Sequence, residues 1–280
     1  MDFLVDDYEK LNVLPIEVKS DKESLSFKAM SKLLAVEGYR MDQGIIEENV
    51  HEKVPSSFDR EANGCCVIMK CMKKGLFITF EGPDGSGKTT VSTAVVERLQ
   101  KEGYQVRYTR EPGGSKIAEE IRDVILDPKN TEMDPRCEAL LYAAARRQHL
   151  VEKVLPALEE GITIVSDRFV DSSLAYQGYG RKIGIDEVYS INMFAIEGKL
   201  PDKTIYLDID AKTGLDRINA NRASLDRLDQ ESEDFHNLVH AGYEAVVEKY
   251  KDRMVIVDAS KSVDEVINEC YSIMKGLLDD

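Results

Sequence analysis

Short apolar runs alternate with longer segments of helical periodicity along most of the chain after Lys73. A run that is apolar at almost every position is typical of a strand buried on both faces, as in a parallel sheet covered by helices. Strands are predicted at residues 75–81, 105–109, 161–167, 203–209 and 253–258, and residues 161–167 are the clearest apolar run among them. The alternation predicts an α/β fold with a five-stranded parallel sheet and helices on both of its faces.

Sequence signals for helix ends place some of the helices between these runs. A helical pattern follows the first run over residues 88–102. An Asp-Pro pair opens a longer pattern over residues 134–160, in which a bend is expected at Pro156. Ser262 and Glu265 have the spacing of a capping box, which predicts the start of the last helix.

The N-terminal part of the chain has a different pattern. Residues 1–72 contain one amphipathic helical pattern over 27–34, which ends at Gly38, and a weaker one over 42–53. None of these segments carries a recognisable chemical motif. We interpret residues 1–72 as a small, mostly helical extension of unknown role, which precedes a domain over residues 73–280. An accessory module and a misassigned start codon are both open explanations.

Charge and cysteine content exclude several classes of protein. The chain has 280 residues, 42% hydrophobic residues and a net charge of −15, which allow a proper core but argue against a nucleic-acid duplex as partner. No apolar run approaches the ~18 residues of a membrane span, and no export signal is visible, so we expect a cytoplasmic protein that does not contact the membrane. The five scattered cysteines do not resemble a disulfide framework, so reduced thiols are expected.

A glycine-rich segment joins the first predicted strand to the first predicted helix. It reads G-x-x-x-x-G-K-T and comprises Gly82, Pro83, Asp84, Gly85, Ser86, Gly87, Lys88 and Thr89, with Thr90 in the helix that follows. Glycine allows backbone dihedrals that turn successive N–H groups towards one phosphate, and the helix N-terminus also favours an anion. Lys88 adds a mobile positive charge, and the Thr89 hydroxyl is suited to Mg²⁺. A turn without a ligand is the alternative, but the strand and helix that flank the segment favour a phosphate site.

Charged residues follow the third apolar run, at the edge of the predicted sheet where ligands collect in parallel α/β folds. Asp167 ends this run, where it could bind Mg²⁺ beside Thr89 or merely cap the next helix. Arg168 favours the first alternative, because a planar guanidinium can bind two phosphate oxygens next to the metal.

A second glycine-bounded segment, over residues 177–184, carries the cations Arg181 and Lys182. Such a segment could be a mobile loop that closes over the phosphates, excludes water and brings Arg181 to the transferring group. The alternative is a solvated surface turn. We expect a lid over about residues 177–186, with Arg181 as a candidate catalytic residue.

Several separate motifs resemble those of bacterial thymidylate kinase in order and spacing. They lie at residues 82–89, 109–114, 141–148, 167–169 and 172–178. The resemblance covers about residues 73–280 and implies the nucleoside-monophosphate-kinase form of the P-loop fold. It does not cover residues 1–72, which is a departure from a family whose members usually begin close to the first strand.

The resemblance implies phosphoryl transfer from ATP to dTMP, with ADP and dTDP as products and Mg²⁺ as the cofactor. The cradle would hold the donor and its metal, and the adenine would lie near residues 258–261. The candidate catalytic residues are Lys88, Asp167, Arg168 and Arg181, and the candidate metal ligands are Thr89 and Asp167. The resemblance also implies a homodimer built from helices.

The acceptor site is likewise implied by the resemblance. Asp84 would bind the 3′-hydroxyl of dTMP, and Tyr176 would crowd C2′ and disfavour ribose. The residues expected at the dTMP phosphate are Arg110, Arg122 and Arg168, and those expected around thymine are Tyr142, Arg146, Ser173 and Gln177. Tyr142 and Arg146 are four residues apart in one helical pattern and therefore share a face, although by its sequence context alone Tyr142 could also be a core aromatic.

The residue types agree with such a reaction. A phosphate nucleophile is already anionic and needs no general base, so the site must align two polyanions and neutralise their repulsion. The cradle contains no arginine between Gly82 and Lys88, so another cation must stabilise the transition state, and Arg181 is the candidate. We predict that Arg181→Ala lowers kcat by about 10²-fold or more, with a modest change in KM. An unaltered kcat would refute that role.

Two other functions remain open at this point. One is a nucleoside-monophosphate kinase that accepts a different base. The other is a P-loop switch that hydrolyses its nucleotide without an acceptor substrate. The chain has no Asn-Lys-x-Asp guanine motif, which counts against a GTP-dependent switch.

Overall fold

A computed structural model describes residues 11–14, 70–221 and 226–279. The chain divides into two compact units, Met1–Lys74 and Gly75–Asp280. In the first unit, strand β1 (Leu11–Leu14) pairs antiparallel with β2 (Lys70–Lys73). The two helical patterns predicted between residues 27 and 53 lie outside the described residues.

The second unit contains a five-stranded sheet in which every neighbouring pair of strands is parallel. Its strands are β3 (Phe77–Glu81), β4 (Val106–Arg110), β5 (Thr163–Asp167), β6 (Lys203–Asp208) and β7 (Met254–Asp258). They lie in the order β4-β5-β3-β6-β7. The predicted α/β class and five-stranded parallel sheet are therefore confirmed.

Helices connect these strands. They are α1 (Lys88–Lys101), α2 (Lys116–Leu126), α3 (Pro135–His149), α4 (Leu155–Glu159), α5 (Val170–Ser173), α6 (Ile185–Ile196), α7 (Ala211–Asn221), α8 (Glu233–Lys249) and α9 (Val263–Asp279). Wider, π-helical turns follow α3 at Leu150–Val154 and α5 at Leu174–Gly180, and a 3₁₀ turn precedes β7 at Lys251–Arg253.

The capping signals read from the sequence are present. The Asp134 side chain accepts hydrogen bonds from the N–H groups of Arg136 and Cys137 at the start of α3. Ser262 and Glu265 form the predicted capping box, with Ser262 Oγ 2.6 Å from the Glu265 carboxylate. At the predicted bend, a π-helical turn at Leu150–Val154 precedes α4, which has Pro156 in its first turn, where the missing proline N–H interrupts no helical hydrogen bond.

Apolar side chains cover both faces of the sheet. Ile78 and Phe80 of β3 belong to a core that also contains residues of α1 and α9, whereas Phe77 belongs to a second core with residues of α3, α4 and α6. Side chains alternate between the faces of a strand, so Glu81 projects to the same side as Phe77. Each fully buried apolar side chain contributes about 1.5–3 kcal/mol to folding.

Of the segment predicted as a loop, residues 177–180 are helical, whereas 181–184 form a turn before α6. Gln177, Gly178 and Gly180 are buried and belong to the π-helical segment after α5. A Cβ at Gly180 would lie 3.0 Å from the Phe235 ring of α8. Gly178 and Gly180 allow the segment after α5 to pack closely against α6 and α8. The same glycines predict mobility when only the sequence is considered.

Candidate active site

A cavity of about 740 Å³ opens at the carboxyl ends of β3, β4 and β5. This edge is where the polar ends of parallel strands converge and where ligands bind in open α/β sheets. The cradle residues 84–90 line one end of the cavity, and residues of α3 and of the segment after α5 line the other. One cavity is therefore lined by residues from both of the sets predicted for the two nucleotides.

The glycine-rich segment adopts the conformation of an anion cradle. Gly82, Gly85 and Gly87 have φ angles of 150°, 79° and 85°, in the region that side chains rarely adopt. Lys88 Nζ donates hydrogen bonds to the carbonyl of Pro83 at 2.8 Å and to Ser86 Oγ at 3.3 Å. Burial, followed by the nearby Arg168 charge, lowers the pKa of Lys88 to about 8. An anionic phosphate would give this amine the charge partner that favours its protonated form.

The two predicted metal ligands lie together. Thr89 Oγ1 donates to Asp167 Oδ2 at 2.5 Å, beside the cradle. Hydroxyl and carboxylate oxygens are the donors that Mg²⁺ prefers, so the residues present fit this ion. Within residues 70–221 and 226–279, no three His, Cys, Asp or Glu residues form a metal cluster.

Arg110 and Arg122 line the cavity beyond the cradle, and both donate to the carbonyl of Pro112, at 3.0 and 2.8 Å. Arg110 also binds both carboxylate oxygens of Glu119 at 3.0 Å. Burial and, second, the adjacent Arg110 charge lower the pKa of Arg122. Two converging cations with one carboxylate partner leave positive charge that an anion would compensate.

Arg168 lies between the two ends of the cavity. It has a φ of 70°, which is rare for a residue other than glycine, and its N–H is held by the carbonyl of Phe80 at 2.9 Å. Its Nη2 contacts Asp84 Oδ1, and the second oxygen of Asp84 accepts from the Tyr176 hydroxyl at 2.6 Å. The predicted phosphate-binding arginine, sugar-binding carboxylate and C2′-facing tyrosine therefore form one connected group.

Arg146 lies at the far end of the cavity and is 2% exposed. It donates through Nε to Glu111 at 2.8 Å, through Nη1 to Ser173 at 3.0 Å and to Asn192, and through Nη2 to the Phe169 carbonyl at 2.8 Å. A guanidinium has five N–H groups, and these contacts use four of them. One Nη2 hydrogen is therefore left to meet a polar atom of a ligand.

Tyr142 lies one helical turn before Arg146 on α3, and both residues line the cavity, as predicted. Gln177 lines the same end, as do the apolar side chains of Leu126 and Leu228. An aromatic ring with apolar neighbours and polar groups at its edge can bind a planar base by stacking and hydrogen bonds.

Arg181 is the one predicted catalytic residue that does not line the cavity, and of the predicted cradle residues Gly82 and Pro83 do not line it either. Its Nη2 binds Glu138 at 3.1 Å and Glu231 at 2.5 Å, and its guanidinium lies over the Phe235 ring, 4.4 Å from the centroid. Two carboxylates and a ring hold this side chain, so its predicted catalytic role would require these ion pairs to break.

Several residues that support the site were not found from the sequence. Glu111 binds Arg146 with one oxygen and His149 Nδ1 with the other, at 2.8 Å in both cases. Glu138 accepts from Gln177 at 2.8 Å and Arg227 at 2.6 Å as well as from Arg181. Burial alone would raise the pKa of Glu138, but the hydrogen bonds from Arg181 and its other donors hold it below the ordinary value. The signal available for Glu138 was an acid on the same helix face as Tyr142 and Ala145.

A glycine cradle with its lysine, a threonine-aspartate oxygen pair, and a second, arginine-lined compartment in the same cavity define a P-loop phosphotransferase with a separate acceptor site. The thymidylate kinase family profile matches residues 80–270. The chain belongs to the thymidylate kinase family.

Individual relatives agree with this assignment. The thymidylate kinase of a Geobacillus species is 58% identical over 194 residues, which are 69% of this chain and 92% of that protein. That of Bacillus licheniformis is 58% identical over 205 residues, 73% of this chain and 97% of that protein. The crystal structure of thymidylate kinase from Ehrlichia chaffeensis superposes with a TM-score of 0.60 at 30% identity, covering 72% of this chain and 99% of that one.

Among the described residues, no helix combines the length and the apolar character that a membrane span requires.

Proposed function

We propose that this protein transfers the terminal phosphoryl group of ATP to dTMP, with ADP and dTDP as products. Its membership of the thymidylate kinase family supports this activity. The observation that carries the proposal is the single cavity in which a phosphate cradle faces a compartment with Arg168, Tyr142 and Arg146. We place the activity in residues 73–280, with residues 1–72 as an extension.

The proposed mechanism relies on alignment and charge. The dTMP phosphate oxygen is already a nucleophile, so the residues need only hold it in line with the terminal phosphate of ATP. Lys88 and the cradle N–H groups would neutralise the donor, and Arg168, Arg110 and Arg122 the acceptor. Thr89 and Asp167 would hold Mg²⁺, which supplies charge neutralisation at the donor phosphates.

Acceptor selection is proposed to follow from three contacts. Thymine would stack on Tyr142, with the remaining Arg146 N–H, Ser173 and Gln177 at its edge. Asp84 would accept a hydrogen bond from the 3′-hydroxyl, and Tyr176, whose hydroxyl already binds Asp84, would occupy the space that a ribose 2′-hydroxyl needs. The buried position of these polar groups makes an unmatched substrate costly, because it leaves them without partners.

A competition assay tests the function. ADP release is followed with dTMP, dUMP, dCMP, GMP and AMP as alternative acceptors, and we expect the highest kcat/KM for dTMP. Preference for another nucleotide would support a kinase for a different base. ATP hydrolysis without any phosphorylated acceptor would support a nucleotide-dependent switch.

A homodimer is the proposed assembly. Exposed apolar side chains lie on three helices that pack side by side, and they include Phe194 of α6 at 87% exposure, Leu140 of α3 at 56% and Val124 of α2 at 48%. We expect Phe194→Glu to convert the dimer to a monomer, because it places a charge in the buried face. Ile256→Glu is the matched control, since Ile256 is 56% exposed on edge strand β7. Sedimentation equilibrium measures both, and a Phe194→Glu dimer would contradict the proposed interface.

The predicted effect of Arg181→Ala on kcat stays a prediction. The ion pairs of Arg181 require a second measurement, because the substitution also takes a partner from the buried Glu138 carboxylate. Loss of kcat at unchanged thermal stability would support a catalytic role. Loss of stability with normal kcat would assign Arg181 to the support of the site.

A further inference from the structure

We propose that Glu81 is a positioning residue that sets the guanidinium of Arg168 for the acceptor phosphate, through the hydroxyl groups of Ser172 and Tyr243. The inference rests on the proposed function, since it concerns the binding of dTMP. Glu81 ends strand β3 immediately before the cradle, is fully buried and does not line the cavity. It would therefore act on the substrate only through other side chains.

The carboxylate of Glu81 is fully engaged by donors. Its Oε1 accepts from the backbone N–H of Phe169 at 2.7 Å and that of Ser172 at 3.3 Å. Its Oε2 accepts from Ser172 Oγ at 2.5 Å and from the Tyr243 hydroxyl at 3.0 Å. These contacts fix the turn after Arg168 and the direction in which both hydroxyl hydrogens point.

The same two hydroxyls contact Arg168. Arg168 Nη1 lies 3.0 Å from Ser172 Oγ and 3.2 Å from the Tyr243 hydroxyl. Each hydroxyl has one hydrogen to donate and lone pairs to accept with. When both hydrogens point to an ionised Glu81, the lone pairs face Arg168 and can accept from it. Oε2 of Glu81 holds both hydroxyl groups, Ser172 Oγ and that of Tyr243. The orientation of Arg168 therefore depends on the charge of Glu81, with which Arg168 has no hydrogen bond in the described structure.

Protonation of Glu81 would change the direction of these hydrogen bonds. A protonated carboxyl donates to one of the two hydroxyls, whose own hydrogen must then turn either to the other hydroxyl, 2.9 Å away, or towards Arg168, where it opposes the guanidinium N–H. Burial and, second, the Asp171 charge raise the pKa of Glu81 to about 7, so both forms occur near neutral pH. The other charged or titratable groups that act on it are Arg168, Lys88 of α1, Arg253, Tyr206 of β6 and Tyr243 of α8.

Glu81→Gln imitates the protonated form at every pH. The two backbone N–H groups require the amide oxygen, which leaves the amide N–H₂ to donate to the hydroxyls. We expect the KM for dTMP to rise about tenfold or more, as for the loss of a hydrogen bond to a charged group, with little change in the KM for ATP. Tyr243→Phe is expected to act in the same direction, and the double variant to be no worse than the stronger single one.

The pH profile gives a readout that a structural role alone would not change. In the wild type, kcat/KM for dTMP should rise with pH in two steps. One step is the ionisation of Glu81, with a pKa of about 7, and the other is that of the substrate phosphate, with a pKa of about 6. Glu81→Gln should lose the component near 7 and keep the one near 6. Tyr206→Phe is the control, because the Tyr206 ring lies 5.3 Å from that of Tyr243 while no hydrogen bond between Tyr206 and Arg168 occurs in the described structure. It should match the wild type, because burial raises the pKa of Tyr206 and the phenol therefore stays uncharged across the assay range.

Steady-state kinetics and calorimetry of dTMP binding decide the matter. A selective rise in the KM and Kd for dTMP in Tyr243→Phe supports the proposal even where Glu81→Gln fails to fold. A folded Tyr243→Phe with normal dTMP affinity, or an equal effect of Tyr206→Phe, would overturn it. If the wild type phosphorylates dTMP and the Glu81→Gln and Tyr243→Phe variants behave like it, only this inference is contradicted. If the wild type neither phosphorylates nor binds dTMP, the proposed function is contradicted as well.

Discussion

Replacement of Lys88 by alanine is expected to lower kcat for dTMP phosphorylation by about 10³-fold. The Lys88 ammonium is 6% exposed and already held within the cradle by the carbonyl of Pro83 at 2.8 Å. Negative charge shifts on the donor phosphates in the transition state, and water molecules stabilise it less well than an ammonium group that is already held in place. The KM for dTMP should change little, because Lys88 makes none of the proposed contacts with dTMP. Steady-state assays of ADP release at saturating substrates measure both constants.

Lys101→Ala is the matched control for Lys88. Lys101 ends the same helix, α1, and is exposed. The same charge is therefore removed from the same helix but far from the cradle, and kcat should equal that of the wild type. Retention of kcat in Lys88→Ala would mean that the cradle does not hold the reacting phosphate.

Replacement of Arg146 by alanine is expected to lower the free energy of unfolding by about 3–5 kcal/mol, as for other broken buried ion pairs. The substitution leaves the Glu111 carboxylate, which is 2% exposed, without its strongest partner. It also strips Ser173, Asn192 and the Phe169 carbonyl of a donor. The melting temperature should fall by about 10 °C, and chemical denaturation gives the free energy directly.

Arg147→Ala tests whether position or charge causes this loss. Arg147 is the next residue on α3, with a side chain that is 39% exposed and paired with Glu197, which is 72% exposed. Such surface pairs contribute about 0–1 kcal/mol, so the unfolding free energy should change by no more than that. If the two substitutions cost the same, the buried network around Arg146 does not stabilise the fold as its geometry indicates.

The strands were predictable because their signal is local. A run rich in apolar residues favours a buried strand, and each predicted strand overlaps an observed one, as residues 161–167 do with Thr163–Asp167. The cradle was equally predictable, since its glycines, Lys88 and Thr89 lie within one short segment. The capping box at Ser262 is a third feature that depends only on residues close in sequence.

The packing of the segment after α5 could not be read in the same way. The glycines of residues 177–184 predicted a mobile loop, but Gly178 and Gly180 lie in a buried helical segment that packs against Phe235 and Gly242 of α8. A glycine that allows a turn and one that allows close packing look identical in a sequence. The neighbour that decides between them is distant along the chain.

The ion pairs around the site could not be predicted from the sequence for a related reason. The side chains that bind Arg146 come from the connection between β4 and α2, from α5 and from α6. Those that bind Arg181 come from α3 and from the residues just before α8. A sequence shows which residues are charged, but only the fold shows which charges are already neutralised. Arg146 and Arg181 thus read alike in the sequence, although only Arg146 lines the cavity.

A crystal structure with dTMP and a non-hydrolysable ATP analogue tests the central claim most directly. We expect the donor phosphates in the cradle with Lys88, the dTMP phosphate on Arg168, and the thymine ring against Tyr142, with the two phosphates in line. A dTMP molecule bound with its phosphate away from Arg168 and its base away from Tyr142 would contradict the account.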